Sequence, residues 1–120
     1  MVVDDERLVR WSISNGLKKD AHEVSTARDA NEALQKAENQ PFDVVIVDYR
    51  MPGMNGIELL QILKQRCPHT KVIMLTAYKR ELDPQLIVDM GAWECLEKPF
   101  VVDEIRKIVN AALAANGMCA

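Results

Sequence analysis

Short apolar runs alternate with longer amphipathic segments five times along this chain. The clearest run is residues 44–47, four consecutive β-branched residues that lead directly into Asp48. Such a run is typical of a strand buried on both faces, as in a parallel sheet. After it, Leu59, Leu60 and Leu63 recur at helical spacing and predict a helix. Repeated units of this size predict an α/β fold, a doubly wound five-stranded parallel sheet with right-handed crossovers.

Turn and capping residues mark the other predicted elements. Further strands are predicted at residues 1–3, 23–27, 71–76 and 94–98. The first of these strands is unusually short. Asp29 followed by Glu32 resembles a capping box at a helix start. Asp83 followed by Pro84 is typical of another helix start.

The composition fits one globular domain. A chain of 120 residues with 48% apolar residues can form one hydrophobic core and is too apolar for disorder. The net charge of -3 provides no electrostatic attraction for nucleic acid, so no direct nucleic-acid binding is expected. No apolar run approaches the roughly 20 residues that span a membrane, and no signal-peptide pattern is present. We therefore expect a cytoplasmic protein. Cys67, Cys95 and Cys119 are widely spaced and expected to be reduced thiols.

Side chains that can carry chemistry stand where the predicted strands end. Asp4 and Asp5 follow the first strand, Asp48 ends the third, Thr76 ends the fourth and Lys98 ends the fifth. In doubly wound sheets, ligands bind beyond the carboxyl ends of the strands. We therefore expect these carboxylates, the hydroxyl and the amine to converge at one edge of the sheet.

Converging carboxylates predict a bound cation. Without a bound cation, these carboxylates repel one another, and at least one of them would hold a proton. Oxygen ligands suit Mg²⁺, which keeps several waters and readily takes a phosphate oxygen as a partner. Lys98 adds a positive charge and Thr76 adds a hydroxyl donor. A single Asp at a strand end is more often a turn or cap residue, so the joint placement is what predicts a phosphoryl site beside a metal.

Four motifs follow one another in a fixed order along the chain. They are Val2-Val3-Asp4-Asp5-Glu6, residues 47–56 (VDYRMPGMNG), Leu75-Thr76-Ala77 and Lys98-Pro99-Phe100. With these motifs the sequence resembles the receiver domain of bacterial response regulators over essentially its whole length. The resemblance implies a single receiver domain at residues 1–120, without an effector domain. It also implies a flavodoxin-like (βα)5 fold with strand order 2-1-3-4-5.

The resemblance implies a role for each motif residue. Asp48 would be the phosphoacceptor. Asp5 would bind Mg²⁺ directly and Asp4 mostly through water, with Asp48 and the backbone carbonyl of Arg50 as further ligands. Glu6, one residue beyond, is expected to point into the first helical turn and to matter far less for magnesium.

The resemblance also implies a switch and its partners. Thr76 would follow the phosphoryl group, Lys98 would pair with a phosphoryl oxygen, and the Lys98–Pro99 bond would be cis. The donor would be a phosphohistidine on a sensor histidine kinase or a phosphotransfer protein. The chain would catalyse only its own phosphorylation and dephosphorylation, and its switch would control a partner or effector domain, expected to be transcriptional.

The chain departs from the family pattern at the switch. Cys95 stands where the family has an aromatic residue that changes rotamer on activation. Trp93 lies two residues earlier and shares one face of the predicted strand, so we expect it to take over part of that role. The alternative is that Trp93 only packs, as large aromatic residues usually do. Asn55 replaces a more usual Asp in a loop and is expected to change little.

Three other functions fit the sequence less well than a receiver domain does. An aspartyl phosphatase would need a DxDx[ST] motif after an early strand, and Asp4-Asp5-Glu6 lacks that spacing. A flavin module would need Ser, Thr and Gly after the first strand, where Asp4 and Asp5 would repel its phosphate. A degenerate receiver would not retain the acidic cluster with Thr76 and Lys98. The resemblance leaves open whether the chain dimerises through the fourth helix, fifth strand and fifth helix, the family's usual partner face.

Overall fold

The computed structural model describes residues 1–77 and 83–118. The strands are β1 (Val2–Val3), β2 (Thr26–Ala27), β3 (Val44–Asp48), β4 (Lys71–Thr76) and β5 (Glu94–Glu97). The helices are α1 (Arg7–Lys18), α2 (Ala30–Asn39), α3 (Gly56–Arg66), α4 (Pro84–Asp89) and α5 (Val102–Met118). The strands form one parallel sheet in the order β2-β1-β3-β4-β5. The predicted fold class and strand order are therefore confirmed.

The sheet separates two layers of apolar side chains. Every residue of β3 is buried, and its side chains alternate between the two layers. Val45 and Val47 pack in the layer that contains residues of α2, α3 and α4. Val44 and Ile46 pack in the layer that contains residues of α1 and α5. Burial on both faces explains why β3 reads as a continuous β-branched run.

The short first strand also limits its neighbour. β1 pairs with β2 only through Val2 with Thr26 and Val3 with Ala27. The predicted strand at 23–27 therefore shrinks to Thr26–Ala27, because residues 23–25 have no β1 residue opposite them to pair with in a ladder. β5 likewise ends at Glu97, one residue before the predicted boundary.

Helix starts follow the predicted capping residues. The Asp29 carboxylate accepts a hydrogen bond from Glu32 N at 2.8 Å, and Asp83 caps α4 with Pro84 in its first turn.

The Lys98–Pro99 peptide bond is cis, as predicted. Among the described residues, Cys67 and Cys95 are free thiols; Cys119 lies outside them. No helix in the described ranges has the length and apolar character needed to cross a membrane.

Candidate functional site

The carboxyl edge of the sheet brings three of the predicted side chains within reach of one another. Lys98 follows β5, and its Nζ lies 3.3 Å from Oδ2 of Asp48 at the end of β3. The same Nζ lies 3.9 Å from Oδ2 of Asp4, which follows β1. β1 and β3 are neighbours in the sheet, so both carboxylates face the same amine. One positive charge therefore serves two buried acids.

Asp4 is the most deeply buried acid of this edge, with no exposed surface. Its Oδ1 accepts a hydrogen bond from Glu6 N at 2.9 Å. Its Oδ2 is buried and has no hydrogen-bond donor in the described part of the chain. Burial raises the pKa of Asp4 to about 6, and the nearby Asp48 carboxylate adds to the rise, against the Glu6 hydrogen bond and the Lys98 charge. An unpartnered carboxylate oxygen is the kind of atom that a cation would satisfy.

Asp48 is the predicted acceptor and is only 4% exposed. Its Oδ1 receives a long hydrogen bond of 3.4 Å from Arg50 N, and Oδ2 faces Lys98. Burial raises the pKa of Asp48, and the charge and hydrogen bond of Lys98 oppose that rise. Lys98 is therefore the group that stabilises the anionic form of this buried carboxylate against its burial.

The burial of Asp4 leads to a pH-dependent prediction for the protein without magnesium. The rise of its pKa from 3.8 to about 6 corresponds to roughly 3 kcal/mol. The folded protein holds this proton more tightly than the unfolded chain, so the contribution to stability is complete below pH 3.8 and is lost as the pH rises through about 6. Asp4→Asn cannot ionise, so we expect it to unfold at higher urea concentration than wild type at pH 7.5.

The comparison at a second pH isolates the ionisation. In chelator-containing buffer, we expect Asp4→Asn to gain about 1–3 kcal/mol at pH 7.5 and clearly less at pH 5, where wild-type Asp4 is mostly protonated. An equal gain at both pH values would show that the change in packing, and not the charge, is responsible.

Thr76 ends β4 with a buried hydroxyl. The residue is 1% exposed, and its Oγ1 has no hydrogen-bond partner of acceptable geometry among the described residues. The Thr76 and Cys95 side chains share one face of the sheet, because Met74 lies opposite Cys95 in the β4–β5 register. Burial raises the pKa of the Cys95 thiol, and the nearby Thr76 side chain opposes that rise. Thr76 thus lies between the acceptor edge and the thiol.

Three consecutive acids form a compact cluster directly after β1. One carboxylate oxygen each of Asp4, Asp5 and Glu6 lies within 4.8 Å of the others. The expectation that Glu6 points away into the first helical turn is therefore wrong. Glu6 is the N-cap residue of α1, but its side chain makes no capping hydrogen bond, so its carboxylate is free to turn toward its neighbours. An oxygen-only cluster with one buried unpartnered oxygen fits a hard divalent cation.

The loop after β3 completes the edge. Asp5, Arg50, Met51 and Asn55 are among the residues that line an open depression of about 650 Å³. Asn55 is more than a loop residue, since its side chain accepts a hydrogen bond from Glu58 N at 3.0 Å and caps α3. The Asn55-x-x-Glu58 spacing, which matches that of Asp29 and Glu32, was the sequence signal for this cap.

A second cavity, of about 380 Å³, lies around Met1, Val44 and other residues at the opposite edge of the sheet.

Trp93 lies away from the acceptor. Its backbone nitrogen donates to Val72 O at 2.7 Å, which places it toward the amino end of β4. Its indole ring is 37% exposed and lies 4.6 Å from Nζ of Lys71. Trp93 therefore contacts β4 nearer its amino end, and Cys95 lies between Trp93 and the Thr76 end of the β4–β5 ladder.

Comparison with known proteins agrees with this geometry. The family model described as the response regulator receiver domain matches residues 1–110. The chain belongs to the response regulator receiver family. A receiver domain from Clostridium thermocellum shares 31% identity and superposes with a TM-score of 0.91, covering 99% of this chain and 96% of its own. A CheY-like receiver domain from Methanospirillum hungatei shares 28% identity with a TM-score of 0.92, covering 99% of this chain and 95% of its own.

Curated relatives extend beyond the receiver domain. The alkaline phosphatase synthesis transcriptional regulatory protein PhoP of Bacillus subtilis is 34% identical over all of this chain, which spans 50% of PhoP. The DNA-binding transcriptional regulator NtrC of Klebsiella pneumoniae is 36% identical over 94% of this chain, which corresponds to 24% of NtrC. The chain thus spans half or less of the length of these relatives.

Proposed function

We propose that this receiver domain accepts a phosphoryl group on Asp48 and passes the resulting change to a partner or effector domain. The observation that supports this most directly is the buried Asp48 carboxylate with Lys98 Nζ at 3.3 Å, beside the acidic cluster. A buried carboxylate paired with one lysine is positioned to act as a nucleophile toward phosphorus.

The chemistry needs positioning and charge neutralisation more than covalent participation by further groups. An Asp48 oxygen forms a bond to phosphorus as the phosphorus–nitrogen bond of a donor phosphohistidine breaks, and the departing imidazole nitrogen keeps the electron pair. Lys98 neutralises a phosphoryl oxygen, and the unpartnered Thr76 hydroxyl gains an acceptor. Asp5, Asp4, Asp48 and the Arg50 carbonyl would hold Mg²⁺, which would supply charge neutralisation to the phosphoryl oxygens.

The proposed partners follow from this reaction. The donor is a sensor histidine kinase or a phosphotransfer protein, which places the domain in the cytoplasm. The output is proposed to be transcriptional, because PhoP and NtrC are transcriptional regulators. The proposed homodimer face is formed by α4, β5 and α5, where Leu86 and Trp93 are 51% and 37% exposed.

Acetyl phosphate tests the proposed reaction without a kinase. Wild-type protein incubated with acetyl phosphate and Mg²⁺ is expected to gain the mass of one phosphoryl group, measured on the intact protein. A matched sample with chelator is expected to gain almost none. Equal gain in both samples would contradict the proposed role of the metal.

Trp93 offers an optical test of the switch. In a Trp11→Phe background Trp93 is the only indole. We expect beryllofluoride with Mg²⁺, which mimics the phosphoryl group on Asp48, to shift its emission, because Trp93, Cys95 and Thr76 share one face of the sheet, along which a change at Thr76 can pass. The shift is expected to disappear in the Thr76→Ala variant of the same background.

The reverse variant controls for direct effects of the ligand. Trp93→Phe leaves only Trp11, which is 64% exposed on α1. An unchanged Trp93 spectrum in a sample that has demonstrably bound beryllofluoride would show that Trp93 only packs and that the signal leaves by another route.

A further inference from the structure

Glu6 occupies a position that helix capping does not explain. It is the N-cap residue of α1, yet its side chain makes no capping hydrogen bond. Its backbone nitrogen donates to Asp4 Oδ1 at 2.9 Å, and this contact fixes the Glu6 backbone against the buried acid. Its own carboxylate is exposed and turns toward Asp4 and Asp5.

Electrostatics alone opposes this arrangement. Oxygens of Asp4, Asp5 and Glu6 lie within 4.8 Å of one another, and like charges at that distance repel. Lys98 pairs with Asp4 and Asp48, and the Arg10 guanidinium donates to the backbone oxygen of Asp4 at 2.7 Å. Among the described residues, the ion pairs of Lys98 and Arg106 do not include the Asp5 or Glu6 carboxylate.

A second observation points to a cation in this cluster. Asp4 Oδ2 has no exposed surface, receives no hydrogen bond within the described chain and has only Lys98 at 3.9 Å as a counter-charge. A buried oxygen of this kind is satisfied by a cation or by water held on a cation. Mg²⁺ keeps several waters when it binds to carboxylates, and those waters need acceptors around the ion.

We propose that Glu6 is a third acidic residue of the magnesium site and that its carboxylate strengthens cation binding. The inference rests on the proposed function, in which Asp5 and Asp4 hold the metal. It adds a residue from the helix start to a site otherwise built from strand ends and one loop. Glu6 acts as a positioning residue for the metal and its waters, and Asp5 remains the principal ligand.

Magnesium affinity measured by isothermal titration calorimetry tests the proposal without any phosphoryl transfer. Glu6→Gln is expected to raise the Kd for Mg²⁺ about tenfold, as substitutions of groups that support metal ligands do. Glu6→Asp restores the charge and is expected to recover part of this loss. The matched control is Glu23→Gln, which removes one exposed carboxylate at the opposite edge of the sheet and should change Kd by less than about twofold because salt screens distant charges.

Asp5→Asn separates this inference from the proposed function. It is expected to weaken Mg²⁺ binding more than Glu6→Gln does. If Asp5→Asn loses Mg²⁺ binding while Glu6→Gln has the same Kd for Mg²⁺ as Glu23→Gln, Glu6 lies outside the metal site and the proposed function stands. If wild-type protein shows no Mg²⁺ binding at all, both the inference and the proposed metal site are overturned.

Discussion

Asp48→Asn is expected to lose phosphorylation by acetyl phosphate completely, whereas wild type gains one phosphoryl group. The amide keeps the shape of the carboxylate but has no anionic oxygen to attack phosphorus. It also keeps a carbonyl oxygen near Lys98, whose Nζ lies 3.3 Å from Oδ2, so the site should stay folded. Intact-mass measurement over time gives both the extent and the rate.

The matched control for this variant lies next to the other end of the same strand. Asp43 immediately precedes β3 and is exposed at the opposite edge of the sheet. Asp43→Asn makes the same chemical change and is expected to be phosphorylated at the wild-type rate. A full mass gain at the wild-type rate in Asp48→Asn would show that another residue accepts the phosphoryl group, and peptide mapping would then locate it.

Gly56→Ala is expected to destabilise the protein and to slow phosphorylation together. A Cβ at this position would lie 2.8 Å from Asp48 O, 2.8 Å from Tyr49 Cα and 2.8 Å from Met74 Sδ. Two of these atoms belong to the backbone of the acceptor segment, which Gly56 N also contacts through a 2.9 Å hydrogen bond to Tyr49 O. Overpacking of this kind typically costs about 1–3 kcal/mol, and relief of the clash must displace Asp48.

A second glycine in the same loop separates crowding from loop flexibility. Gly53 has a φ of +78°, and a Cβ there would meet no atom within 4 Å. Gly53→Asn places a residue that tolerates the left-handed region, so it is expected to cost at most about 1–2 kcal/mol and to leave the phosphorylation rate close to wild type. Urea unfolding and the acetyl phosphate reaction measure both effects. Equal effects from the two variants would contradict the close-contact explanation for Gly56.

Local sequence patterns were enough to predict most helices and strands and the chemical groups at the strand ends. The β-branched run before Asp48, the caps at Asp29 and Asp83, and the acidic pair after β1 are local patterns, and each depends on neighbours within a few residues. Local patterns of this kind report backbone propensity and burial directly. They were sufficient to predict the sheet order through the family resemblance, and they placed Asp4, Asp48 and Lys98 at one edge.

Which atoms meet at that edge depends on how the elements pack against one another. Whether Glu6 turns toward Asp5 or into its own helix depends on the position of Asp4, whose carboxylate binds the Glu6 nitrogen. The shortening of β2 depends on the length of β1, and the crowding at Gly56 depends on β3 and β4 meeting the start of α3. These features join residues on different elements, and their energies depend on distances of a few tenths of an ångström that no local pattern specifies.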